Sequence, residues 1–374
     1  QVSTSLPATR SVLVGVLGAV LALTGCTAGA SSPPGGATSS VPADSTSTSS
    51  STTTTTTLPP PVAVAGTSVP GEAFLGAVSR VPVVAIPPGR STAPLPAAGE
   101  PGYLSIEQVA FRQFGSGPDL LLIMGQDGSM AWWEPSLLST LAQHYRVTEF
   151  DFPGVGYSEP ALAPMTLDWL ADETAGLIQA LALAQPTVLG WGLGGEVALA
   201  LAERHPASER SLVLVDSSAG GPEAARPAAS VTTLLDSATA TAASLAATFF
   251  GGSSASAGSS PGLSPPGGAV AEAAWLAAIE STVPDDVTRA ALADESALQL
   301  GLWSNKSLAD ATGSVVVPTL VVFGSDDSVF PAPDGLLLRR SIAGSERVEL
   351  PDAGYASMFE DASQFVTALE EFTG

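Results

Sequence analysis

Few residues in this chain could carry chemistry. Its 374 residues include two histidines, His144 and His205, and one cysteine, Cys26. A single Cys excludes a disulfide scaffold or a cysteine-built metal site, and two His leave very little for metal or acid–base work. No metal and no cofactor is expected. The remaining candidates follow apolar runs: Asp127 and Ser129 after Leu120–Met124, Asp216 after Ser211–Val215, and Asp327 after Thr319–Phe323. A hydroxyl nucleophile needs a base near pKa 7 to take its proton. Both histidines read instead as helix C-terminal residues, where the macrodipole favours them. For Asp127, Ser129 and Asp216 the plainer reading is a turn or cap, and Gln126-Asp127-Gly128-Ser129 is turn chemistry by composition. Glu196 is expected to point along its helix.

The elements that must position these residues alternate between two periods. Leu120–Met124, Arg146–Phe150, Thr187–Trp191, Ser211–Val215 and Thr319–Phe323 read as strands, most without polar alternation. That pattern belongs to a parallel sheet covered on both faces. Leu167, Leu170, Ala171, Thr174, Leu177, Ile178 and Leu181 recur at helical spacing, as do the runs Val197–Ala202 and Phe365–Phe372. The fold class is α/β, a mostly parallel doubly wound sheet, and its ligand crevice lies at the carboxyl ends of the strands.

Several of those strand ends resemble the α/β-hydrolase superfamily, in order, across residues 102–374 or so. Gly190-Trp191-Gly192-Leu193-Gly194 is similar to the Gly-x-Ser-x-Gly nucleophile elbow, with Gly190 and Gly194 as its flanking glycines and Gly192 at the serine position. Met124-Gly125-Gln126 resembles the oxyanion turn, so the resemblance implies backbone N–H donors from Gln126 and Leu193. Asp151-Phe-Pro-Gly-Val-Gly-Tyr-Ser158 looks like the superfamily's Asp-x-x-Gly-x-Gly-x-Ser loop, in which Ser158 is structural. Gly324-Ser-Asp-Asp327 matches the turn of the triad acid, making Asp327 a retained acid position. Pro351-Asp-Ala-Gly-Tyr355 matches the turn of the catalytic His, whose position holds Tyr355. A helical lid is implied at about 217–312, with a biased loop at Gly251–Gly268. On this resemblance the nucleophile and base are both lost, at Gly192 and Tyr355. Glycine at the elbow also removes a φ > 0 strain of about 1–3 kcal/mol.

Ahead of the domain (101–374), Arg10 precedes a 13-residue apolar run, Ser11–Leu23, too short to span a bilayer. It ends in Leu23-Thr24-Gly25-Cys26, which resembles a lipobox. The expectation is a lipoprotein signal peptide at 1–25 and lipidation of Cys26, placing the chain on the extracytoplasmic face of the cell membrane. Residues 26–100 read as a Ser/Thr/Pro-rich disordered tether and a loosely attached extension containing Val81–Ile86. With 36 acidic against 13 basic residues, the net charge of −23 excludes a nucleic-acid footprint. The leading functional expectation is a non-catalytic binder of a small apolar, acyl- or ester-like ligand or of a protein, with Trp132, Trp133 and Trp191 near the crevice. The competing ones are a serine-type hydrolase with a displaced nucleophile, for example Ser129 with Asp327 or Asp216, Asp127 being a further alternative nucleophile or acid, and an envelope interaction module.

Overall fold

A computed structural model describes residues 60–64, 73–88, 106–162, 164–237, 240–251, 268–281, 289–304 and 306–374. The signal-peptide and Cys26 expectations, and most of the tether, lie outside these residues.

Nine strands form one sheet among the described residues: β1 (Val62–Ala63), β2 (Ser79–Val83), β3 (Glu107–Gly115), β4 (Asp119–Ile123), β5 (Arg146–Phe150), β6 (Thr187–Trp191), β7 (Ser211–Val215), β8 (Thr319–Gly324) and β9 (Glu346–Leu350). Their order is β1-β2-β3-β5-β4-β6-β7-β8-β9. β1, β2, β3 and β5 pair antiparallel in turn, and β5 through β9 are joined by parallel ladders. Both faces are covered, as the unbroken apolar runs require. Leu120, Leu122, Leu189, Val213 and Leu320 point into one core, whereas Leu121, Ile123, Val188, Leu212 and Val321 point into the other.

The helices are α1 (Pro135–Leu141), α2 (Leu167–Ala180), α3 (Leu193–Arg204), α4 (Ala229–Leu235), α5 (Ala242–Phe249), α6 (Gly268–Ser281), α7 (Arg289–Leu302), α8 (Ser307–Ala311), α9 (Ala332–Ser341), α10 (Ser357–Glu360) and α11 (Ala362–Thr373). Capping fixes where several of them begin. The Glu134 carboxylate accepts from Ser136 N and Leu137 N, with Pro135 at the first helical position of α1. Thr166 Oγ1 accepts from Trp169 N at the start of α2. Among the described residues between β7 and β8 are the helices α4 to α8, where a helical lid was expected.

One expectation needs correction. Val81 and Val83 do not belong to a loose extension: they are buried in β2, which pairs with β3 from Ser79↔Phe111 to Val83↔Glu107. The Pro and Gly around this segment gave it the composition of a linker. Its valines nevertheless fill a groove over α2, where Gly176 lets the helix backbone approach the Val84 carbonyl so closely that a Cβ would not fit. Ile86 N also donates to the Asp172 carbonyl of α2 at 2.9 Å. Replacing Val81 and Val83 together by Ser is expected to cost about 3 kcal/mol or more, since burying one valine is worth ~1.5–3 kcal/mol. Urea unfolding measures it; a loss below about 1 kcal/mol would restore the loose-extension reading.

Candidate active site

β6 runs straight into α3, and the residue at the turn is Gly192, with φ 56° and ψ −120°. Side chains rarely adopt that conformation, so glycine holds the elbow without strain. Two hydrogen bonds fix it: Gly192 N donates to the Val215 carbonyl at 3.0 Å, and Ser217 Oγ donates to the Gly192 carbonyl at 2.7 Å. Gly190 and Gly194 pack backbone against backbone, since a Cβ on Gly190 would enter the Gly194 carbonyl and one on Gly194 the Ile123 carbonyl. Leu193 is the first residue of α3. The oxyanion-turn candidates Gly125 and Gln126 arrive from the end of β4, beside the Trp191 carbonyl.

The space over the elbow is filled by Tyr355. A Cβ built on Gly192 would clash with the Tyr355 hydroxyl, and one on Gly125 would come within 2.7 Å of it. The phenol ring stacks on Trp191 (centroids 4.7 Å apart, 25° between planes) and meets Phe249 edge-on at 4.8 Å. Trp191 Nε1 donates to the Tyr355 carbonyl at 2.8 Å, so one indole holds both the ring and the backbone of this residue. The turn itself is pinned from below, because Gly251 N and Gly354 N both donate to Glu360 Oε1. Burial, then the nearby Asp327 and Asp216 carboxyls, push the phenol well above its ordinary pKa of 10.0. Tyr355 is therefore a proton donor and no base.

Asp327 lies at the end of β8, where the sequence placed it. Its Oδ1 accepts from Val329 N (2.7 Å) and Phe330 N (2.9 Å), whereas its Oδ2 is buried without a hydrogen-bond partner. Asp216, at φ 44° after β7, accepts from Gly324 N (2.8 Å) and from the Ser357 hydroxyl (2.6 Å). Burial raises both carboxyls well above the usual carboxylate range; for Asp216 the charge of Asp327 adds to it. The two acids thus stand beside the phenol with no imidazole to orient.

The histidines are committed elsewhere. His144 Nε2 pairs with Glu370 at 3.1 Å, and His205 Nε2 with Asp172 at 2.8 Å, beside the Arg204–Asp172 ion pair. Ser129 is buried and caps a single 3-10 turn, Met130–Trp132, its hydroxyl accepting from Ala131 N at 3.3 Å. Ser158 is structural: its hydroxyl donates to the Asp151 carbonyl and accepts from Ala110 N. Trp132 and Trp133 are buried in the aromatic core around Trp191. Glu196, expected to point along its helix, belongs to the interior. It is fully buried, and Gln299 Nε2, from α7, donates to its Oε1 at 3.3 Å.

Two residues went unnoticed in the sequence. Ala291, Glu295, Gln299 and Leu302 are all buried and follow helical spacing along α7. Two polar residues within one inward stripe were the available signal. The crevice above Tyr355 is lined by Gln126, Phe249, Gln299, Trp303 and Phe330, among others, and retains about 20 Å³.

Elbow, oxyanion-type turn, strand-end acid and lid define the class. The chain belongs to the alpha/beta hydrolase fold family, whose profile matches residues 118–362. It is 31% identical over 268 residues to a pimeloyl-[acyl-carrier protein] methyl ester esterase of Aeromonas hydrophila, covering 71% of this chain and 99% of that enzyme. A second enzyme of that description, from Aeromonas salmonicida, is 30% identical with the same coverage. Among solved structures, a hydrolase from Pseudomonas aeruginosa aligns with a TM-score of 0.57 at 28% identity, over 72% of this chain and 95% of its own. An enol-lactonase from Burkholderia xenovorans aligns at 0.56 with 24% identity, covering 71% and 96%, a likeness of fold.

Two outcomes follow from this geometry. Gly192→Ser is expected to destabilise the chain while Tyr355 is present, and to be better tolerated alongside Tyr355→His. A double-mutant cycle read by thermal unfolding should give a coupling of about 1 kcal/mol or more, the size expected of residues in contact; additive effects would mean that the two do not share one space. Asp327 binds its proton more tightly folded than unfolded, so its contribution to stability falls as pH rises above about 4 toward the folded pKa. Asp327→Asn removes that penalty. The variant is expected to match or exceed the wild type by about 1 kcal/mol at pH 8, with a flatter profile between pH 5 and 8. A large loss at pH 8 would show the carboxylate to be needed in its charged form.

Proposed function

We propose that this chain is a non-hydrolysing member of its family that binds a small, largely apolar, acyl- or ester-like molecule beneath its lid. The observation that carries the reading is the Tyr355 hydroxyl standing where a nucleophile's side chain would project from residue 192. Both triad positions, 192 and 355, then hold residues that cannot attack or take a proton. The crevice is walled by Phe249, Phe330, Trp303 and Leu235, which suits an apolar ligand. Its 20 Å³ or so admits about one water molecule. A ligand therefore enters only when α4 and α7, which carry Thr232, Leu235, Gln299 and Leu300 of the lining, move outward. Anchoring through a lipid on Cys26, outside the cytoplasm, is part of the same proposal, supported by Leu23-Thr24-Gly25-Cys26. Among the described residues no helix is long and apolar enough to cross a membrane.

The relatives favour a second reading. The two Aeromonas proteins carry esterase descriptions over nearly their full length, which supports a hydrolase whose nucleophile lies elsewhere, Ser129 being the first candidate. Chromogenic methyl and short-acyl esters, offered to the wild type and to the Gly192→Ser/Tyr355→His double variant, separate the two. Under the first reading the wild type is silent, and medium-chain esters raise its unfolding temperature. Saturable turnover by the wild type, with fluorophosphonate labelling abolished by Ser129→Ala, would establish the second.

A further inference from the structure

Between its buried Ala291 and Leu302, helix α7 is fastened to the body of the protein by a row of polar contacts on its inner face. Glu295 Oε2 accepts from Asp127 N at 2.5 Å, so a lid carboxyl sits on the backbone of the turn after β4. Gln126 Nε2, from the same turn, reaches Ser296 Oγ at 3.4 Å, and Asp294 Oδ2 accepts from Met165 N at 3.1 Å. One turn further on, Gln299 bonds Glu196. The Asp127 side chain shares this space: its Oδ2 accepts from Gln126 Nε2 at 3.1 Å, and its Oδ1 is buried without a partner. Asp127 also holds φ 62°, a conformation uncommon for a residue with a side chain, so its carboxyl is fixed beneath α7 by the turn itself.

The charges that bear on this pair are acidic. Asp236, at the end of α4, acts on Asp127, and Asp294, on α7, acts on Glu295. On the α3 side the contact is Glu196 through Gln299, and Asp127 in turn acts on the Tyr355 phenol. Two carboxylates facing one another in a buried site cannot both ionise cheaply. Burial first, and then the charge of Glu295, raise Asp127 to about 9; burial raises Glu295 to about 7, partly offset by its bond to Asp127 N.

We propose that α7 is a proton-dependent latch over the crevice, closed while the Asp127–Glu295 pair keeps a proton and released when both carboxyls are charged. Gln299 and Leu300, which line the crevice, sit on the same helix, so release of α7 opens the space above Tyr355. The sign follows from linkage. The closed state binds the proton more tightly than the open one, so closure is favoured at low pH and lost as pH rises through about 7 to 9. This device does not depend on the ligand reading, and its test contains no ligand.

The test is amide hydrogen exchange of the full-length chain at pH 6, 7, 8 and 9, with the intrinsic chemical rate divided out. In the wild type the protection factors of residues 293–302 should fall about ten-fold or more from pH 6 to 9, with those of β6 unchanged. In Glu295→Gln, which keeps the shape and removes the charge, that fall should disappear; Asp127→Asn is the second variant should the first fold poorly. A flat wild-type profile, a fall shared equally by β6, or a fall that persists in both variants would each overturn the latch.

Discussion

A single volume governs this site: the space above the elbow accommodates either a side chain at residue 192 or the hydroxyl of Tyr355, and not both. Much else is arranged around that hydroxyl. Trp191 supports the ring and the backbone, Phe249 closes it from the lid side, and Glu360 holds the turn that delivers it. The elbow keeps its φ 56° even though no side chain is presented there, because the hydrogen bonds from Gly192 N and Ser217 Oγ fix its backbone. A strand-to-helix geometry suited to exposing a nucleophile thus persists as pure backbone.

The second constraint is charge. Asp216, Asp327, Asp127, Glu295, Glu196 and Glu360 are all raised above the ordinary carboxylate range, with burial as the largest cause in each. Burial favours the protonated form of such groups, in which they act as hydrogen-bonding units rather than as charges. Asp216 illustrates it, joining β7, β8 and α10 through Gly324 N and Ser357. A polar scaffold of this kind joins neighbouring elements by short directed bonds, and its strength depends on pH.

Much of this was legible in the sequence. β5, β6 and β7 begin and end where the sequence placed them: β6 and β7 are apolar after an opening Thr187 and Ser211, as strands buried on both faces are, whereas β5 buries Thr148 and Glu149, the latter paired with Arg112. The motif order placed Gly192, Asp327 and Tyr355 after the strands that are β6, β8 and β9. Their mutual contact was not legible, because no pattern in one dimension says that a phenol fills the volume left by a glycine 163 positions earlier. β2 escaped for another reason: five residues containing a proline, set among Pro and Gly, have a linker's composition, and only pairing with β3 makes them a strand. Glu295 and Gln299 were hidden by their residue types, which usually mark a helix's solvent face.

The stacking of Tyr355 on Trp191 also gives the molecule an optical identity. Trp132, Trp133, Trp191, Trp275, Phe249 and Phe359 form a chain of ring contacts between 5.2 and 6.3 Å, rigidly held and asymmetric. Aromatic side chains fixed in this way generate the near-ultraviolet circular dichroism that disappears when specific packing is lost. Four of the chain's six tryptophans belong to this cluster. The near-ultraviolet spectrum of the unlabelled protein is therefore, in large part, a spectrum of the site.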